Sequence, residues 1–273
     1  MTKHMQEQDS REDAVPTDAL FDVRGKTVLV TGGGRGIGRG LAKAFVSAGA
    51  RVYVCSRDYD ACKATADELA NIGECIPLSA DLGTYAGCEG LVDELSVREK
   101  SLDVVINNAG ALWAAPLIDY PENGWDKVFD LNVKGTFFLI RGLLPLLSEG
   151  ATMDSPARVI NIGSIDGLHV PAHETYAYSA SKAAVHHLSR HLARELADRH
   201  VTVNVIAPGM YLSKMTQATV AAKGADEVLG AARTKRFVDD SDMAGAAIYL
   251  ASRAGAYVTG TVLPVDGGMA TTL

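Results

Sequence analysis

The sequence predicts an α/β fold, a single doubly wound domain in which helices flank a seven-stranded parallel sheet. Three observations carry that expectation. From Lys26 onward, short β-branched runs alternate with longer stretches of helical periodicity, the pattern of repeated strand, helix, strand units. The strand-like runs are apolar nearly throughout, as strands covered on both faces must be. No linker rich in Pro, Gly or Ser and no repeat at solenoid spacing divides the 273 residues.

The expected strands are 27–30, 51–55, 75–79, 102–107, 158–162, 201–206 and 261–265. Helices are expected between them over 37–48, 59–71, 85–98, 124–147, 176–199 and 241–251. Ser241 is placed to cap the last helix, because its hydroxyl can accept from an orphan N–H of the first turn. Gly49, Gly73 and Gly255 follow apolar helical stretches, where a left-handed residue closes the helix. Residues 1–20 are polar and of mixed charge, which reads as a flexible tail before a domain spanning 21–273. Residues 210–236 are Ala-rich, partly amphipathic and long for a connection, and are expected to form a lid over a substrate site.

Composition narrows the function. Lys and Arg number 26 against 33 Asp and Glu, and the net charge of −7 argues against a nucleic-acid binder that grips phosphates. The longest apolar run, 135–147, is interrupted by Arg141 and Pro145 and falls short of the roughly 18–20 residues of a membrane span. The first residues lack the apolar core of a secretory signal, and Cys55, Cys62, Cys75 and Cys88 show no CxxC spacing. Buried reduced thiols and a cytoplasmic location are the expectation. His186, His187 and His191 lack the glutamate of an HExxH motif, so no metal is assigned to them.

The first strand runs into Thr31-Gly32-Gly33-Gly34-Arg35-Gly36-Ile37-Gly38 and then a helix. Glycines there allow a tight turn and close approach of backbone to a pyrophosphate, and the helix that follows aims free N–H groups at the anion. Alone the turn is a weak signal, since it also serves as an ordinary loop. Asp81-Leu82 after the third strand and Asn107-Asn108-Ala109-Gly110 at the end of the fourth put polar groups at the carboxyl edge of the sheet, where ligands bind. A helix-capping aspartate and a turn-forming asparagine would account for the same residues.

Tyr178 and Lys182 are four residues apart, on one face of a helix. An ammonium beside a phenol, whose ordinary pKa is about 10, favours the phenolate and eases proton exchange near neutral pH. Ser164, just beyond the fifth strand, brings a hydroxyl to the same edge, and Asn132 lies in the long fourth helix. A helical tyrosine is more often packing than chemistry. Tyr176, with uncharged Ala180 one turn on, is the nearest decoy.

Over residues 25–269 these motifs together resemble the short-chain dehydrogenase/reductase family, whose fold is a Rossmann fold. The resemblance implies a tetrad of Asn132, Ser164, Tyr178 and Lys182. In it Tyr178 exchanges the proton and Ser164 orients the reacting oxygen. Lys182 binds the nicotinamide ribose, and Asn132 links a water chain to the lysine. The resemblance also implies that Asp81 contacts the adenine amine and that Asn108 supports the central strand, with Leu82, Ala109 and Gly110 beside the cofactor. Pro208, Gly209, Met210 and Ser213 match the segment around the nicotinamide amide, Ser213 standing where threonine is usual, and Asp266-Gly267-Gly268 reads as structural. Ser56 stands where NAD-binding members carry a carboxylate, and Arg57 with Arg35 can clamp a 2′-phosphate, so NADP(H) is the expected cofactor. Arg39 is expected to face solvent.

The implied reaction is hydride transfer between NADPH and a carbonyl or secondary alcohol. Residues 157–164, 176–178 and 204–209, with Trp113 after the NNAG turn, are similar to 3-oxoacyl (β-ketoacyl) reductases of the rhamnolipid-pathway type. That likeness implies a small-molecule 3-oxoacyl thioester, carrier- or CoA-linked. Met210, Leu212, Met215, Val220 and Leu229 of the lid would line an acyl channel, and Lys214, Lys223, Arg233, Lys235 and Arg236 would meet an acidic carrier, although a solvated lid face accounts for the same basic residues about as well. A sugar, steroid or other secondary-alcohol dehydrogenase shares every motif. A catalytically silent nucleotide sensor would keep the glycine turn but be free to lose Tyr178 and Lys182. A homo-oligomer, tetramer or dimer, is also implied by the resemblance.

Overall fold

The computed structural model describes residues 16–212, 220–221, 224–230 and 232–272. Within the stretch expected as a tail, Thr17–Leu20 form one helical turn, α1, and residues 1–15 lie outside the described residues.

Seven strands follow: β1 Thr27–Thr31, β2 Arg51–Ser56, β3 Cys75–Ser79, β4 Val104–Asn107, β5 Ala157–Ile162, β6 Val201–Pro208 and β7 Val262–Val265. Every neighbouring pair is parallel, in the order β3-β2-β1-β4-β5-β6-β7. The principal helices are α2 Gly36–Ser47, α3 Tyr59–Leu69, α4 Tyr85–Arg98, α5 Glu122–Phe129, α6 Thr136–Ser148, α7 Tyr176–Glu195, the short α8 Ala225–Val228 and α9 Asp240–Ala251. The chain winds outward from β1 to β3, then returns to β4 on the other side of β1. That reversal opens a crevice at the carboxyl ends of β1 and β4.

Alternation along the strands builds two cores. Val28, Val30, Val52, Val54 and Ile106 face one way, against Leu41 and Phe45 of α2 and Met243 and Leu250 of α9. Leu29, Tyr53, Val105, Val159 and Val203 face the other, against Leu91 and Leu95 of α4 and Leu139 and Leu143 of α6. Because both faces are covered, the strands read as continuous apolar runs.

Four local expectations need correction. The helix expected over 124–147 is interrupted by a π-helical turn, Asp130–Gly135, between α5 and α6. A single π-helical turn between two α-helices carries no residue signature of its own, so the run reads as one helix in sequence. The helix expected to reach 199 ends at Glu195, and His200, at φ 55°, takes the left-handed position after a 3₁₀ turn. The cap of α9 is Asp239, not Ser241. Its carboxylate accepts from the N–H groups of Ser241 at 2.8 Å and Asp242 at 3.0 Å, while Asp242 accepts from Asp239 N–H at 3.0 Å. A carboxylate that satisfies two orphan donors at the positive end of a helix outcompetes a hydroxyl. Of the three glycines, only Gly49 (φ +84°) is left-handed; Gly73 is needed for close approach to Val46, and Gly255 for approach to the Tyr249 carbonyl.

Candidate active site

A cleft of about 640 Å³ opens at the β1/β4 edge. Twelve of the residues expected at a dinucleotide line it: Gly32, Gly34, Arg35, Gly36, Ile37, Ser56, Arg57, Asp81, Leu82, Asn108, Ala109 and Gly110. Thr31 and Gly38 support it from behind. The Thr31 hydroxyl accepts from Asn108 N–H at 3.0 Å and Ala109 N–H at 2.9 Å, and the Asn108 amide donates to the Thr31 carbonyl at 2.9 Å. These bonds tie the ends of β1 and β4 together. Gly32 is left-handed at φ +66°, and a Cβ at Gly38 would overlap the Gly32 carbonyl, so the turn closes only with glycine at both positions.

The cleft suits a phosphorylated dinucleotide. The first turn of α2 carries no side-chain cap, which leaves its positive end for an anion, and Arg35 and Arg57 stand on the same wall. Arg57 lies 3.9 Å from Asp81, both largely exposed, a tie that solvent weakens. Arg39 is instead paired with Glu68 at 2.5 Å on the surface. The Ser56 hydroxyl donates to the Asp58 carbonyl at 2.8 Å and accepts from Asp58 N–H at 3.1 Å, so it is committed to the turn that starts α3. What Ser56 contributes is the absence of a carboxylate.

Pro208 ends β6, Gly209 and Met210 follow it, none of the three lines the cleft, and Ser213 lies outside the described residues. The motif reading missed Asp58, Ala61, Ala80, Leu131 and Tyr211, which also line the cleft. Asp58 had a signal, a capping residue just before a helix; Tyr211 had none beyond its place in the run after β6.

The reacting end lies beside Gly110. A Cβ there would stand 3.4 Å from Asn132 Oδ1 and 3.8 Å from Lys182 Nζ. Asn132, turned inward by the π-helical turn, accepts from Ala111 N–H at 2.8 Å and donates to the Ala111 carbonyl and the Ser181 hydroxyl, both at 2.9 Å. Ser181 in turn donates to the Tyr178 carbonyl at 2.7 Å. Lys182 donates to the Ile162 carbonyl at 2.7 Å, and its Nζ stands 5.5 Å from the Tyr178 ring centroid. Ser164 heads a 3₁₀ turn, Ile165–Gly167, and its Oγ accepts from Asp166 N–H at 3.1 Å, which leaves its own hydrogen for another acceptor.

Burial pushes the Tyr178 phenol up to about 12, with the Ser164 hydroxyl opposing and the Asp166 charge adding. Burial likewise brings the Lys182 ammonium down to about 8, the Asp166 charge opposing. This corrects the expectation of a lysine field favouring the phenolate, because desolvation of the charged forms outweighs it. The phenol therefore rests protonated. Sequence spacing did not single out Asp166, a half-buried carboxyl pushed up by burial, with His169, His173 and Lys182 opposing.

The histidines do not converge: His186 is 2% exposed, while His187 and His191 lie on the exposed face. Within the expected lid, Leu229 is buried with Ile165, Ala232 and Met269, and Met210 packs beside them. Leu212 is exposed, Val220 is half-buried, and Lys214, Met215 and Lys223 lie outside the described residues. The described cations of the lid are committed within the chain. Arg233 donates to Thr272, Lys235 to the Gly230 carbonyl, and Arg236 pairs with Asp242. The bonds of Arg233 and Lys235 go to neutral oxygens and leave their positive charge in place, while the charge of Arg236 is offset by the Asp242 carboxylate. All four cysteines are free, burial raising each thiol, and no described helix is long and apolar enough to cross a membrane.

Residues 32–270 match a family model described as enoyl-(acyl carrier protein) reductase. The rhamnolipids biosynthesis 3-oxoacyl-acyl-carrier-protein reductase of Pseudomonas aeruginosa is 47% identical over 249 residues, 91% of this chain and 97% of that protein. The 2-dehydro-3-deoxy-D-gluconate 5-dehydrogenase of Dickeya dadantii is 32% identical over 255 residues, 91% of this chain and 96% of that protein. Among solved structures, the NADP active-site complex of Pseudomonas aeruginosa RhlG superposes with a TM-score of 0.88 at 45% identity, covering 92% of this chain and 98% of that one.

Proposed function

The chain belongs to the short-chain dehydrogenase/reductase family, and from that premise we propose that it reduces the 3-oxo group of an acyl thioester to a hydroxyl with NADPH. The observation that carries this reading is the meeting of Ser164, Tyr178 and Lys182 beside a cleft whose glycine turn, uncapped helix end and two arginines suit NADP. NADPH, when bound, supplies the hydride. Ser164 donates its free hydrogen to the substrate oxygen and so orients it. Tyr178, protonated at neutral pH, delivers its proton to that oxygen as negative charge grows there. Lys182, anchored on Ile162, holds positive charge against the phenol ring and is the residue to bind the nicotinamide ribose. Asn132 fixes the backbone at Ala111 against Ser181 of α7, which keeps the two halves of the site in register.

The choice of a 3-oxoacyl thioester is supported by the Pseudomonas relative and by the apolar group of Ile165, Met210 and Leu229 next to Ser164. Carrier- or CoA-linked delivery, a cytoplasmic site of action and assembly into a homo-oligomer belong to the same proposal. Free cysteines support the second of these, and the exposed apolar Ile118, Phe137 and Tyr257 the third. A second reading, reduction of a keto-sugar acid, is favoured by Asp166, whose carboxyl two residues from Ser164 suits a substrate hydroxyl, and by the Dickeya relative. NADPH consumption with acetoacetyl and longer 3-oxoacyl thioesters, set against keto-gluconates, tests the two. Turnover of thioesters supports the first reading; turnover of keto-gluconates alone transfers the site to the second.

A further inference from the structure

Tyr211 is held in place by three elements that no motif of the sequence links. It follows β6 and lines the dinucleotide cleft, and it also lines a shallow surface pocket with Leu212, Val238 and Asp240. Tyr211 thus belongs to both cleft and surface. Its backbone pairs in parallel with Val238, and Val238 N–H donates to the Met210 carbonyl at 2.9 Å. Its hydroxyl donates to Asp240 Oδ1 at 2.6 Å. Burial and the neighbouring Asp240 carboxylate push that hydroxyl up to about 12, so it stays a neutral donor.

Asp240 is itself fixed. It opens α9 immediately after the Asp239 cap, and its carboxylate nests against Gly40 of α2, where a Cβ would overlap it. Glycine is a poor residue in the middle of a helix, and here its missing side chain admits the acceptor of the Tyr211 bond. The same helix turns its uncapped end toward the cleft. The tie therefore connects the segment after β6, α9 and α2 around one aromatic ring.

We propose that Tyr211 is a cofactor-retaining residue: its ring, held in place by the Tyr211–Asp240 bond, is a fixed wall of the dinucleotide cleft that slows departure of NADP(H). This rests on the NADP reading above. A ring free to rotate away would leave that side of the cleft open. Because the tie is already formed in the empty protein, it stands in the path of entry as well as of exit.

Stopped-flow fluorescence of NADPH release and capture, without substrate, is the test. Tyr211→Phe keeps the ring and loses the tie, and NADPH should leave about five- to tenfold faster, the range set by one net hydrogen bond that must open, with capture faster by about the same factor and affinity within about twofold of the parent. Tyr211→Ala, which removes the wall, should release it faster still. Asp240→Ala, which removes the acceptor, should match Tyr211→Phe, and the double variant should be no faster than either single change. Parent-like release from both Tyr211 variants overturns the proposal, and so do effects of Tyr211→Phe and Asp240→Ala that multiply independently. If Asp240→Ala does not fold, the two Tyr211 variants decide alone. A parent protein that fails to bind NADPH overturns the cofactor reading as well, whereas tight parent binding with unchanged release overturns only the role of Tyr211.

Discussion

Lys182 holds its ammonium 5.5 Å from the ring centroid of Tyr178, and burial shifts the two groups in opposite directions, the lysine down to about 8 and the tyrosine up to about 12. Both shifts favour the uncharged forms. A lysine whose folded pKa lies below its unfolded value of 10.5 penalises the fold wherever it is charged in both states, which is below about pH 8. Between 8 and 10.5 the folded chain sheds its proton first, and the penalty fades as pH rises. The parent should therefore gain stability relative to Lys182→Met between pH 7 and pH 10. At pH 7 the variant should be at least as stable as the parent while losing turnover by about a thousandfold or more. Urea melts of both proteins at the two pH values check this; a difference independent of pH would mean that the ammonium is well solvated.

Replacing Tyr178 by Phe removes the proposed proton donor and little else. Turnover should fall by about a thousandfold, within the usual range for a lost general acid, while NADPH affinity stays within about twofold. Tyr176→Phe is the control, since Tyr176 is partly exposed and only stacks edge-on against Tyr120 at 5.8 Å. Steady-state rates and a fluorescence titration separate the outcomes, and similar losses at both positions would withdraw the assignment.

Cofactor choice should rest on Arg57. Its distance of 3.9 Å from Asp81, in an exposed setting, leaves the guanidinium free to meet a phosphate. Arg57→Ala should weaken NADPH binding by about tenfold to a hundredfold, the worth of a charge-assisted bond, and leave NADH binding unchanged. Arg39→Ala should do neither, because Glu68 already holds that side chain. Isothermal titrations with both nucleotides would show it, and equal loss for NADH and NADPH would point to a packing role for Arg57.

What was legible in the chain follows a physical division. The glycine turn could be read because Gly32 and Gly38 are demanded by backbone geometry, which residue identity reports directly. The pairing of Tyr178 with Lys182 followed from helical spacing, but the direction of their shifts depends on burial, which spacing does not encode. The π-helical turn that holds Asn132 has no residue signature of its own between two helical stretches, so residues 124–147 read as one helix. Asp239 and Asp242 carried a legible capping box that the hydroxyl of Ser241 obscured. The lid cations showed their charge in the sequence, while their partners Asp242, Thr272 and Gly230 are supplied only by folding.

Asn132 provides the sharpest separation of structure from chemistry. Its three side-chain bonds reach the Ala111 N–H and the Ala111 carbonyl in a part-buried setting and the Ser181 hydroxyl in a buried one. Asn132→Ala strands both polar groups of Ala111 and should cost about 2–4 kcal/mol of stability, since buried donors and acceptors left unpaired are expensive. Asn132→Asp keeps the acceptor for Ala111 N–H but turns an oxygen toward the Ala111 carbonyl, so it should destabilise about as much. Because Asn132 joins the wall beside Gly110 to α7, turnover should fall by about ten- to a hundredfold in both variants, through displaced reacting groups. Thermal melts and steady-state kinetics on the same samples give the answer. A variant that melts like the parent yet loses turnover would shift Asn132 from positioning to the proton chain that the family resemblance implies, and the loss should then deepen in deuterated solvent.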